Sequence, residues 1–143
     1  MSAYRSLSHT RWDCKYHVVL IPKRRKKVID GQVRVLLGAI FHELAGHKEV
    51  EIMEGHLQPD HVHMCVRIPP KLAVSNVVGY LKGKSAIMIA RQFSGKERNF
   101  TGESFWARGY FVSTVGLDAA TIVAYIKNQE DEEERDDPMR FRM

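Results

Sequence analysis

Two histidines one residue apart, His61 and His63, lie in the stretch Gln58-Pro59-Asp60-His61-Val62-His63-Met64-Cys65-Val66. It reads as a turn running into a β-strand, where alternate side chains share a face. His61, His63, Cys65 and Arg67 then point one way, and Val62, Met64, Val66 and Ile68 the other. The two imidazoles sit about 7 Å apart along the backbone. Such a pair suits shared coordination of one divalent metal. A His-x-His pair also arises where one ring packs and the other meets solvent. Here the register favours the metal, because the apolar residues all fall on the opposite face.

Tyr125 and Gln129 are four residues apart in a helical stretch and share a helix face. Ile122, Val123 and Ile126 form the apolar stripe of that helix, so both polar residues sit at its edge. A tyrosine in that place can simply rim the core. Beside a His-x-His strand it can also be a nucleophile, whose phenol oxygen attacks a phosphodiester and keeps the bond energy as a phosphotyrosine. The bond can then pass to another strand without ATP. A free phenol has a pKa of about 10 and needs help from a metal or a base. A metal would also draw charge from the scissile phosphate. The amide oxygen of Gln129 with two histidine nitrogens makes a plausible Mg²⁺ or Mn²⁺ triad with open positions.

Two other motifs fail on spacing. His42-Glu43-Leu44-Ala45-Gly46-His47 resembles a zinc-protease helix, but that motif needs its second histidine at position 46, which is Gly. His42 and His47 therefore read as helix-surface residues. Gly83-Lys84-Ser85 resembles the end of a phosphate-binding loop, but the required first Gly falls at Val78 and no strand precedes it. Gly79 and Gly83 read instead as marks of close helix packing. Lys82 and Lys84 stay candidates for meeting phosphates.

The elements that must position these residues follow from pattern. Cys14 to Ile21 is rich in β-formers and stops at Pro22, a strand. Lys23, Arg24, Arg25, Lys26 and Lys27 form a basic loop. Asp30 is placed to cap a helix over 32–45, with Gly46 as its stop. Strands are expected over 50–57 and 61–68, separated by the turn at Gln58-Pro59-Asp60 and closed by Pro69-Pro70. A long helix runs over 74–93, and 94–103 is a polar loop. A fourth strand over 108–115 centres on Tyr110-Phe111-Val112, and Asp118 caps the last helix. The order βαββαβ plus a helix is the ferredoxin-like pattern: an α+β fold, an antiparallel sheet with helices on one face, and a C-terminal helix carrying the candidate nucleophile. The other sheet face, with His61 and His63, is expected to be free for a ligand.

A chain of 143 residues with ordinary composition reads as one domain, 1–143, without repeat or linker. It has no apolar run long enough to span a membrane, and 1–11 lacks the apolar stretch of a signal peptide. A cytoplasmic protein is the default expectation. Cys14 and Cys65 form no C-x-x-C pair, which excludes a zinc knuckle or redox motif and leaves two reduced thiols. The net charge of +5 divides unevenly, with +6 on residues 1–30, +3 on 31–129 and −4 on the acidic tail 130–143. A body of +9 favours a polyanion, nucleic acid first.

Taken together, the chain resembles the small single-tyrosine transposases with a His-hydrophobic-His motif, the insertion sequence 200/605 family (TnpA type). The resemblance covers nearly the whole chain. It rests on Lys15-Tyr16-His17-Val18-Val19 followed by Pro22-Lys23, on Pro59-Asp60-His61-Val62-His63, on Leu81-Lys82-Gly83-Lys84-Ser85, on Phe105-Trp106-Ala107-Arg108-Gly109-Tyr110-Phe111 and on Tyr125-Ile126-Lys127-Asn128-Gln129. It implies His61 and His63 as metal ligands, Tyr125 as nucleophile, Gln129 as third ligand, a ferredoxin-like fold, an obligate dimer with each site built from two chains, and single-stranded DNA substrates carrying imperfect hairpins. Arg24 departs from the aromatic residue that relatives often carry, and the resemblance does not extend to the acidic tail. The expectation is a metal-dependent strand transferase that cleaves and rejoins single-stranded DNA through a 5′-phosphotyrosine, with Lys23 to Lys27 on backbone phosphates. The rivals are a nucleic-acid-binding regulator of the same fold with weak or silent chemistry, and a metal phosphodiesterase that uses water.

Overall fold

The structure, a computed structural model, describes residues 5–7, 10–93, 105–115 and 124–128. Two short strands, β1 (Arg5–Leu7) and β2 (Thr10–Trp12), pair as an antiparallel ribbon. Then follow β3 (Lys15–Leu20), α1 (Gly31–His47), β4 (Glu51–Gln58), β5 (His61–Arg67), α2 (Val74–Phe93) and β6 (Phe111–Thr114). The last four strands form one sheet in the order β4-β5-β3-β6, antiparallel throughout. From β3 onward the order is βαββαβ, the ferredoxin-like architecture of the α+β class. Among the described residues no helix is long and apolar enough to cross a membrane.

Alternation on the central strands builds the core. Val18 and Leu20 of β3 and Val62, Met64 and Val66 of β5 are buried on one sheet face against α1 and α2. The helices contribute Leu37, Phe41, Val78, Leu81 and Ile89 at helical spacing. Gly38 is the close approach of helix to sheet: a Cβ there would stand 3.2 Å from Leu57 Cδ1. At Gly79 and Gly83 a Cβ would meet nothing within 4 Å among the described residues, so none of these packs closely on either glycine.

Other expectations shift by local chemistry. Asp30 occupies the N-cap of α1 without a side-chain capping bond. Gly46 does not stop α1, which continues to His47, and the chain leaves through Glu49 at φ +59°. β6 begins at Phe111 rather than at Arg108, because the backbone bends at Gly109 with φ +72°. The pairing of β1 with β2 has no counterpart in the sequence reading. The far sheet face is not wholly free: Val19, Ile21 and Ile126 are buried there together, with Phe111 and Tyr125 against them. The expected loop over 94–103, the cap at Asp118, Ile122, Val123, Gln129 and the acidic tail lie outside the described residues.

Candidate active site

β5 is an inner strand, paired with β3 on one side and β4 on the other, which makes it a rigid mount. Burial along it alternates, with Val62, Met64 and Val66 inside and His61, His63 and Cys65 half-buried on the opposite face. His61 and His63 therefore share a face, as their spacing predicts.

Each ring is held differently. His61 Nδ1–H donates to Asp60 Oδ1 at 2.9 Å, which fixes the ring with Nε2 on its far side. The second Asp60 oxygen accepts from Arg25 Nε at 2.8 Å. Burial opposes ionisation of Asp60, but hydrogen bonds and charge from Arg25 and His61 outweigh it and hold the carboxyl below its usual range. A carboxylate that fixes the far nitrogen of a ligating imidazole is the usual outer partner of a metal histidine. His63 Nε2 lies 3.1 Å from Nδ1 of His17 on β3. Its ring stands 5.2 Å from that of His17 and 6.1 Å from that of His56 on β4. Burial first, then the neighbouring charges of His17, His56 and His61, lower the pKa of His63 against the opposing pull of Glu54. The neutral ring that results is the form that can ligate. These donors fit a hard or borderline divalent ion. Among the described residues no three His, Cys, Asp or Glu side chains gather as a metal site, and the expected third ligand, Gln129, lies outside them.

Tyr125 lies in the helical segment 124–128. Its ring packs 5.0 Å from that of Phe111, and the adjacent Ile126 is buried against Val19 and Ile21. In register, Phe111 pairs with Val19, and Val19 pairs with His63. Phe111 and His63 thus stand in one row across the sheet, two strand spacings or about 10 Å apart. The structure brings Tyr125 onto the sheet face that carries His61 and His63.

Of the basic loop, Lys23–Arg25 forms a 3₁₀ turn in which Arg24 and Arg25 take left-handed φ values of 59° and 50°. Lys23, Arg24, Lys26 and Lys27 are exposed, whereas Arg25 is half-buried against Asp60. The two α2 lysines separate in role. Lys84 is exposed. Lys82 Nζ donates to the carbonyls of Ala107 and Gly109 at 2.9 and 2.7 Å, and burial lowers its pKa. Ser85 is fully buried and accepts from Trp106 Nε1 at 3.0 Å, a core contact in mid-helix rather than part of a phosphate loop. Sequence reasoning missed His17, His56 and Asp60. The alternation of β3 places His17 on the site face, and Asp60 adjoins His61, so both carried a signal. His56 depends on the β4–β5 register, where an irregularity between Ile52 and Glu54 resets the parity.

Residues 10–129 match the family model described as "Transposase IS200 like". The chain is 45% identical over 133 residues to the transposase for insertion sequence element IS200 of Salmonella typhimurium, covering 93% of this chain and 88% of that one. It is 29% identical over 123 residues to ISDra2 transposase TnpA of Deinococcus radiodurans, covering 85% and 88%. A crystal structure of a candidate transposase from Deinococcus radiodurans superposes with a TM-score of 0.80 at 28% identity, over 87% of this chain and 97% of that one. A REP-associated tyrosine transposase bound to a REP hairpin shares the fold with a TM-score of 0.54 at 13% identity, over 85% and 68%. On the extent of these matches, the chain belongs to the IS200-like transposase family.

Proposed function

We propose that this transposase cleaves and rejoins single-stranded DNA at the ends of a mobile element, with Tyr125 as nucleophile and His61, His63 and Gln129 as ligands of Mg²⁺ or Mn²⁺. The observation that carries the reading is the meeting, on one sheet face, of the His61–His63 pair with the helix that bears Tyr125. The phenol oxygen of Tyr125 attacks the scissile phosphorus and the bond to the 3′ oxygen breaks. That oxygen takes up a proton as a free 3′-OH, and the phenol proton is lost to solvent or a base. The 5′ side is left as a phosphotyrosine. Rejoining is the reverse, with a 3′-OH of another strand attacking the phosphotyrosine and restoring the phenol. His61, His63 and Gln129 would hold a divalent ion, which would supply positive charge to the phosphate. The protein's part is to hold His61 by Asp60, to keep His63 neutral, and to seat the tyrosine helix.

The exposed Lys23, Arg24, Lys26 and Lys27 supply backbone contacts, and the hairpin-bound relative of the same fold supports a hairpin substrate. Two copies would hold two DNA ends together, in a homodimer whose composite sites join His61 and His63 of one chain to Tyr125 of the other. In the single chain, the tyrosine helix packs on its own sheet. A denaturing gel with labelled hairpin DNA tests the chemistry. A covalent protein–DNA band is expected. Free cleaved DNA without an adduct would show a hydrolase, and a mobility shift without cleavage a binding regulator.

A further inference from the structure

We propose that Arg25 is a positioning residue which ties the basic loop to the metal ligand His61, so that DNA on the loop and metal at the histidines reinforce each other. The proposal rests on the metal reading of His61 and on the phosphate reading of the loop. Of the five consecutive basic residues, Arg25 alone is half-buried, and its Nε donates to Asp60 Oδ2 at 2.8 Å. The other oxygen of the same carboxylate accepts from His61 Nδ1 at 2.9 Å. One planar carboxylate is thus gripped at both oxygens, by the loop on one side and by the imidazole on the other. The backbone joins the same two segments a second time, where Ile29 N–H donates to the Pro59 carbonyl at 3.0 Å.

The loop is bent to make this contact. Arg24 and Arg25 both hold left-handed φ values that side-chain-bearing residues avoid. The turn that carries them is closed by Arg25 N–H on the Pro22 carbonyl at 2.8 Å, and Lys23 N–H is anchored on the Phe105 carbonyl at 2.9 Å. Phosphates that bind Lys23, Lys26 and Lys27 would favour one arrangement of this strained turn, and with it one placement of the Arg25 arm. The direction of His61 Nε2 follows, through Asp60. Coupling between two sites is reciprocal: if DNA tightens metal binding, metal tightens DNA binding by the same factor.

The test measures Mn²⁺ affinity by electron paramagnetic resonance, with and without a GC-stem DNA hairpin, for the full chain and its variants. Outer partners of metal histidines are worth about 10–100-fold in metal affinity. Arg25→Ala is expected to weaken Mn²⁺ binding about tenfold in the absence of DNA, and to abolish the gain that the hairpin gives the wild type. Arg25→Lys, which keeps the charge but not the fork, should recover part of the loss. Lys26→Ala should weaken the hairpin alone and leave DNA-free Mn²⁺ affinity unchanged. Asp60→Asn must reproduce the loss seen in Arg25→Ala, and it carries the test if that variant does not fold. If Arg25→Ala behaves as Lys26→Ala does, or if Asp60→Asn keeps wild-type Mn²⁺ affinity, the proposal is overturned. If His61→Ala itself leaves Mn²⁺ affinity unchanged, the metal reading fails instead, which separates the two failures.

Discussion

At the scale of single residues, the site is a row of side chains on one sheet face, and in the proposed mechanism its least replaceable atom is the Tyr125 phenol oxygen. Tyr125→Phe keeps the ring that packs on Phe111. We expect the covalent adduct to disappear from a denaturing gel while hairpin binding is retained. An adduct persisting in that variant would move the nucleophile elsewhere. The shared face of His61 and His63 and the helical setting of Tyr125 were legible in the chain because strand and helix periodicity are local properties. His17 and His56 were not read as part of the site, because both meet His63 across strand pairs, and pairing register is set by the whole sheet. The two α2 lysines show the same limit. Lys84→Gln is expected to weaken hairpin binding and flatten its salt dependence. Lys82→Ala should leave two carbonyls without their donor and lower stability by about 1–3 kcal/mol, read by denaturant titration. The pH sign is fixed by burial. Lys82 has a folded pKa below its unfolded one. In the alkaline window between the two, the unfolded chain holds more protons, so its contribution favours folding as pH rises and is lost as pH falls.

At the scale of elements, two clusters of unequal size do different work. The large one, between α1, α2 and the sheet, holds the domain together. The small one, Val19, Ile21 and Ile126, seats the tyrosine helix. Leu81→Ala is expected to cost about 2–5 kcal/mol and to lower the global melting temperature. Ile126→Ala should cost less globally, yet raise hydrogen exchange at 124–128 and slow adduct formation. Equal effects on melting from both substitutions would show that the two clusters unfold as one unit. Most of this architecture was readable, since β3, α1, β4, β5 and α2 lie within a few residues of where periodicity and proline placed them. The ribbon Arg5–Leu7 with Thr10–Trp12 was not, because its strands are too short to show alternation. Nor was the end of α1 legible: a glycine at position 46 is the ordinary stop, but Glu49 takes the left-handed turn and pairs with Lys71.

At the scale of the whole molecule, the proposed mechanism turns on which chain's histidines each Tyr125 would serve. In the proposed dimer, a partner's helix seated in the same geometry would keep the contacts of Ile126 with Val19 and Ile21. Co-expression of a His61→Ala/His63→Ala chain with a Tyr125→Phe chain is expected to restore cleavage in the heterodimer, through its one intact composite site. A verified heterodimer that stays inactive would place the tyrosine in its own chain's site. The same structure separates what folds the protein from what makes it act. His61 and His63 project from the face opposite the main core, whose apolar contacts do not include them. A copy of the element that acquires His61→Ala is therefore expected to yield a folded protein that keeps its five basic loop residues. Such a product would occupy hairpins and, by assembling with active chains, dilute their working sites. Decay of one copy would then restrain its neighbours in the same genome, and excision by a wild-type copy should fall in proportion to the inactive chain expressed beside it.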